Sequence, residues 1–178
     1  MTEWSALVRS GRAATTARCR RAARRLRHPE RPLEAGIPRS VQVGALLAVL
    51  DESVAALRAA DTAVAACGAS DGASGQTARD CARALSGFHR LRARLTGLPI
   101  TESDLADVRA YAGRLLAYDQ WMVHQALNVA FTVHPDARTE AARLELNGLG
   151  RPADDLRRLR DALRAISRNE ERHEERHI

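Results

Sequence analysis

Along the chain, apolar residues return every three or four positions, and no stretch holds the apolar-polar alternation of a half-buried strand. β-Branched or aromatic clusters bounded by hairpin turns are missing as well. The pattern predicts an all-α protein. A first helix is expected from about Thr2 to Arg27, stopping at the His28 to Pro32 segment, whose prolines Pro29 and Pro32 cannot continue it. A second begins near Pro38 or Ser40, runs through Cys67 and ends in a loop of Gly, Ala, Ser and Asp closed by Gly75. A third spans Gln76 to Thr96 before Gly97. Thr101-Glu102-Ser103-Asp104 has the form of a capping box and opens a fourth helix reaching about Val133. After His134 and Pro135 comes a short helix from about Asp136 to Leu146. The last helix starts around Pro152, where Asp154 and Asp155 suit its positive end, and is expected to run on toward the C-terminus.

Short connections between long helices favour antiparallel neighbours. The expected architecture is an up-and-down bundle of four long helices with a basic N-terminal amphipathic helix and one short extra helix. It reads as a single helical domain over residues 1–178, in which 1–39 form the basic helix and its Pro-containing linker and 40–178 the bundle. No uninterrupted apolar run approaches a membrane span, since the longest, Val43 to Leu50, ends at Asp51 and Glu52. No membrane partner is expected, and the compartment reads as bacterial cytoplasm.

Charge changes this picture at one place. All 28 basic side chains are arginine, a skew that reads first as a GC-rich genome, but their distribution carries more. Residues 1–39 hold ten Arg against three Glu, a net of +7, while residues 40–178 hold eighteen Arg against nineteen acids, a net of −1. On the predicted first helix, Trp4, Val8, Gly11, Thr15, Cys19, Ala22 and Leu26 share a thin apolar stripe. Arg9, Arg12, Arg18, Arg20, Arg21, Arg24, Arg25 and Arg27 occupy the rest. Such a face attracts an acidic protein or phosphates and loses affinity as salt rises. Nucleic acid is the lesser expectation, because only Trp4 offers a stacking surface there and no reader motif is recognisable.

Within the fourth helix, Gln120 to Pro135 contain no Asp, Glu or Arg, and this stretch is expected at the centre of the core. Gln120, His124 and Asn128 fall four apart on one side, a polar pocket if the helices part there and a hydrogen-bonded seam if they do not; the seam is the preferred reading. Asp61, Arg92 and Asp119 each interrupt an apolar face. A lone buried charge is costly, so an ion pair between helices is expected, Arg92 with Asp119 or Asp61.

At the C-terminus EERHEERH, residues 170–177, places Glu170, His173, Glu174 and His177 on one helical face. Glu-x-x-His pairs serve di-iron bundles from different helices, whereas both copies here share one, so a solvated tail is preferred to a metal site. Cys19, Cys67 and Cys81 show no zinc spacing and read as reduced packing residues. No cofactor signature is present. The leading expectation is a non-enzymatic helical interaction or regulatory protein that docks on an acidic partner through the arginine-rich helix; an amphipathic bundle can also pair with a copy of itself. The alternative is a small helical-bundle enzyme or metal-binding protein that uses the stripe around His124 or the Glu/His face.

Overall fold

The computed structural model describes residues 36–174. The predicted first helix, with its eight arginines and Cys19, lies outside the described residues. Five helices follow: α1 (Arg39–Cys67), α2 (Gly75–Thr96), α3 (Ser103–Ala130), α4 (Ala137–Leu144) and α5 (Arg151–Glu174), and no strand occurs among the described residues. α1 packs against α2, α3 and α5; α3 packs against all of these and against α4.

The core is laid down by period. On α1 the buried positions Val43, Leu46, Leu50, Ser53, Leu57, Ala60, Val64 and Cys67 recur at three- and four-residue steps, meeting Leu105, Val108, Ala112, Leu116 and Val123 of α3. Phe88 and Leu95 of α2 and Leu156 and Leu163 of α5 close the two sides, all of them almost without solvent contact. α1 is also the one helix among the described residues long and apolar enough to cross a membrane, with a mean hydropathy of 1.5 over its most apolar window. Its length and composition escape a search for uninterrupted apolar runs, because Asp51 and Glu52 interrupt it. Here its inner face is buried against three neighbouring helices.

The helix ends follow from local chemistry. α2 opens on a capping box: the Ser74 hydroxyl accepts from the Thr77 amide at 3.1 Å, and Thr77 Oγ1 accepts from the Ser74 amide at 3.3 Å. α4 starts where Asp136 accepts from the Thr139 amide at 2.6 Å; the Thr139 side chain first and this amide second lower the Asp136 carboxyl below its ordinary range. The capping box expected at 101–104 does not form. α3 starts at Ser103, one residue later than that box requires: Glu102 precedes it without a side-chain cap, and Asp104 turns to Arg39 of α1 instead. α3 also ends earlier than expected, at Ala130 rather than Val133, and the exposed Phe131 to Pro135 stretch leads into α4.

Two glycines are required by close approach. Gly68 closes α1 where a Cβ would lie 2.3 Å from the Leu146 carbonyl oxygen. Gly148, at φ +130, lies where a Cβ would fall 2.4 Å from Asp61 Oδ1. Together they bring the segment between α4 and α5 down onto the C-terminal half of α1.

Candidate functional site

The uncharged stretch of α3 is not the centre of the core. Of its residues only Val123 and Ala126 are buried, while Trp121 (44% exposed), His124, Asn128 and Phe131 (41% exposed) face solvent. Absence of charge marks no particular side of a helix. The buried carbons lie instead in the first half of α3, from Leu105 to Leu116, where α1 covers them.

The polar stripe divides for the same reason. Gln120 is half-buried against α2, where its Oε1 accepts from Arg92 Nη1 at 2.9 Å. His124 and Asn128 are exposed and bond each other, ring Nδ1 to amide Nδ2, at 3.2 Å. Four-residue spacing keeps these two on one ridge, but that ridge is the outer one.

The expected pairing of Arg92 with Asp119 or Asp61 does not occur. Arg92 takes the amide of Gln120, the neighbour of Asp119 in sequence but about 100° away around the helix. Asp61 accepts the backbone amide of Leu149 at 2.7 Å, tying α1 to the entrance of α5. Asp119 is left fully buried with neither carboxylate oxygen hydrogen-bonded. Burial pushes its carboxyl up to about 7; Arg157 on α5 pulls it down and Asp61 on α1 pushes it further up. Protonation therefore does the work expected of a counter-charge, and the cost of a bare buried anion is avoided at acidic pH.

Three polar assemblies escape a linear reading. At the start of α1, Arg39 bonds both oxygens of Asp104 at 3.0 and 2.7 Å and Glu170 Oε1 at 3.1 Å, with Glu102 at 3.9 Å. Asp104 first, then Glu170, raise the Arg39 pKa. Next to it, Gln42 is buried and fully used: Nε2 donates to the Ile37 carbonyl at 2.8 Å and to Thr101 Oγ1 at 2.9 Å, while Oε1 accepts from the Thr101 and Glu102 amides at 2.7 and 3.3 Å. At the other end of α1, buried Arg143 of α4 donates to the Cys67 and Ala69 carbonyls and pairs with Glu140, whose carboxyl it lowers. It stands in for a helix cap from far along the chain. Arg39 had counted only toward the basic N-terminal excess, and nothing in the sequence around Gln42 or Arg143 marks either as interior.

Cys67 and Cys81 are free, buried and 3.7 Å apart, sulfur to sulfur. Burial, then the neighbouring sulfur, pushes the Cys81 thiol up to about 12, so it stays protonated. Of the C-terminal set, Glu170 is engaged by Arg39; the side chains of His173 and Glu174, and all of His177, lie outside the described residues. Among the described residues no group of three or more His, Cys, Asp or Glu is arranged to hold a metal ion. No protein-family model, no curated protein and no solved structure matches the chain.

Proposed function

We propose that the chain is a non-enzymatic helical interaction or regulatory protein, its helical body a scaffold and the arginine face of residues 9–27 the part that docks on an acidic partner. One observation carries this reading. Within the described body at least ten acids, among them Asp51, Glu52, Asp80, Asp104 and Glu170, already hold a guanidinium within 4.0 Å. From Arg39 on, where that arginine is itself paired with Asp104 and Glu170, nineteen Arg balance nineteen acids, so the body has no net negative charge to set against the +6 of residues 1–38, and an external acid is the natural counter-charge. The exposure of His124 and Asn128 supports the same reading, since a helical-bundle enzyme needs its polar groups enclosed. We read α1, α2, α3 and α5 as an up-and-down bundle in one domain, supported by the seven-residue link between α1 and α2 and the six-residue link between α2 and α3.

The test compares the full chain with a variant in which Arg18, Arg20, Arg21, Arg24 and Arg25 become Gln, each offered immobilised polyglutamate and a cell extract across a salt series. Binding by the native chain that fades with salt and is lost in the variant is expected. Identical captured partners at low salt would overturn the docking reading.

A further inference from the structure

A groove lies between the C-terminal half of α2 and the N-terminal half of α3. It encloses about 370 Å³, and its lining includes Arg92, Arg109 and Arg114 with Thr96, Leu95 and Gly113, but no acid. Each arginine is positioned by a neutral group. Arg92 Nη1 donates to Gln120, Arg109 Nη1 donates to the Leu98 carbonyl at 2.8 Å, and the Arg114 guanidinium lies 5.5 Å from the centre of the Tyr111 ring. Among the described residues none of the three has a carboxylate oxygen within 4.0 Å, unlike Arg39, Arg94 or Arg143; Arg58, Arg79 and Arg90 lack one too, but Arg92, Arg109 and Arg114 line one groove together. A guanidinium carries five N–H donors, so most of the donors of Arg92 and Arg109 remain for a ligand.

Three unpaired guanidinium groups around one small groove exceed what a single carboxylate can satisfy. A phosphate, with more charge and three acceptor oxygens, fits them better. One helical turn past Ala117, the last residue of α3 that lines the groove, stands Trp121, exposed and in tilted contact with exposed Tyr118 at 5.4 Å between ring centres. An exposed aromatic pair on the ridge beside this basic groove offers a stacking platform. We propose that the α2–α3 groove binds a nucleotide phosphate, with Arg92, Arg109 and Arg114 holding the phosphate and Trp121 stacking on the base. The shared chemistry, a phosphate ester joined to a base, arrives either as a free nucleotide or within single-stranded nucleic acid. Nothing in this groove rests on the role proposed for residues 9–27.

The chain has two tryptophans, so Trp4→Phe leaves Trp121 as the fluorescent reporter. The full chain carrying that change is titrated at about 100 mM salt with adenosine monophosphate, a short oligodeoxyadenylate, adenosine and inorganic phosphate. Saturable quenching by the nucleotide or the oligonucleotide is expected, with adenosine and phosphate at least about tenfold weaker and Arg92→Gln with Arg114→Gln weakening binding about tenfold or more. Tighter binding of the oligonucleotide assigns the single strand as the source; equal or weaker binding assigns the free nucleotide. Arg114→Gln alone, at an exposed position, repeats the test where helicity of the double variant is not native. Absence of saturable quenching by both nucleotide and oligonucleotide overturns the proposal, as does phosphate binding as tightly as the nucleotide. So does binding that survives the groove substitutions but is lost when Arg18, Arg20, Arg21, Arg24 and Arg25 become Gln; the docking reading would stand through any of these failures.

Discussion

Gln42 and Asp119 are both sealed from solvent, at 1% and 0% exposure, and the structure treats them in opposite ways. Around Gln42 every polar atom is used, so a neutral amide joins the start of α1 to the segment that leads into α3. Around Asp119 none is used: neither carboxyl oxygen meets a donor where α3 packs against α1 and α5. A buried polar group is thus no single kind of object: satisfied, it locks two segments; unsatisfied, it makes the junction of α1, α3 and α5 depend on a proton.

The largest test of that contrast is pH. The Asp119 carboxyl is raised from 3.8 to about 7 in the folded chain, so the native state holds a proton that the unfolded chain has released. Stability from this group is complete below the unfolded pKa, declines as pH rises between the two values, and is lost above the folded one. From about pH 4 to about pH 8 the native chain should lose about 4 kcal/mol relative to Asp119→Asn, measured by urea unfolding at each pH. Parallel curves for the two proteins would mean that the carboxyl finds water or a counter-charge. At the satisfied end, Gln42→Leu should cost about 3 kcal/mol at any pH, because it strands the Thr101 and Glu102 amides. A loss under about 1 kcal/mol in chemical denaturation would show that solvent reaches those amides. Smallest is Arg39→Gln, at about 1–2 kcal/mol, since Glu170 is partly hydrated and can turn to water. Its cost should shrink in high salt; a salt-independent loss in thermal melts would assign the effect to packing of the arginine stem.

The sequence made the helices readable because their ends are punctuated. Pro38, Gly68, Gly97 and Asp136 stop or start elements at or next to the observed boundaries, and the three-to-four-residue apolar period on α1 and α3 picks out most of their buried residues. The side-chain pairing was much less legible. The burial of Asp119 follows from apolar neighbours three and four positions away, but the assumption that a buried acid must meet a cation overlooks the cheaper remedy of keeping its proton. Gln42 lies between Val41 and Val43 and has the look of a surface residue until residues 98–102 fold over it. Arg92, Arg109 and Arg114 are scattered over two helices, and only the packing of α2 on α3 gathers them. The polar stripe of α3 was visible as a spacing, yet spacing fixes relative and not absolute orientation, so Gln120 turned inward while His124 and Asn128 turned out.

The Arg39 clamp joins positions 131 residues apart, and Arg143 reaches back to the Cys67 carbonyl across 76. On the ribosome, α1 therefore emerges long before the groups that finish both its ends. At ordinary elongation rates of roughly 5–20 residues per second, about 5–20 s separate the synthesis of Cys67 from that of Glu170. α2 and α3 cover part of its inner face as they emerge, but the strip of this most apolar helix that α5 covers stays open until the end of that interval, a natural site for a chaperone. The helix at the heart of the finished protein is the one that waits longest for its last neighbour.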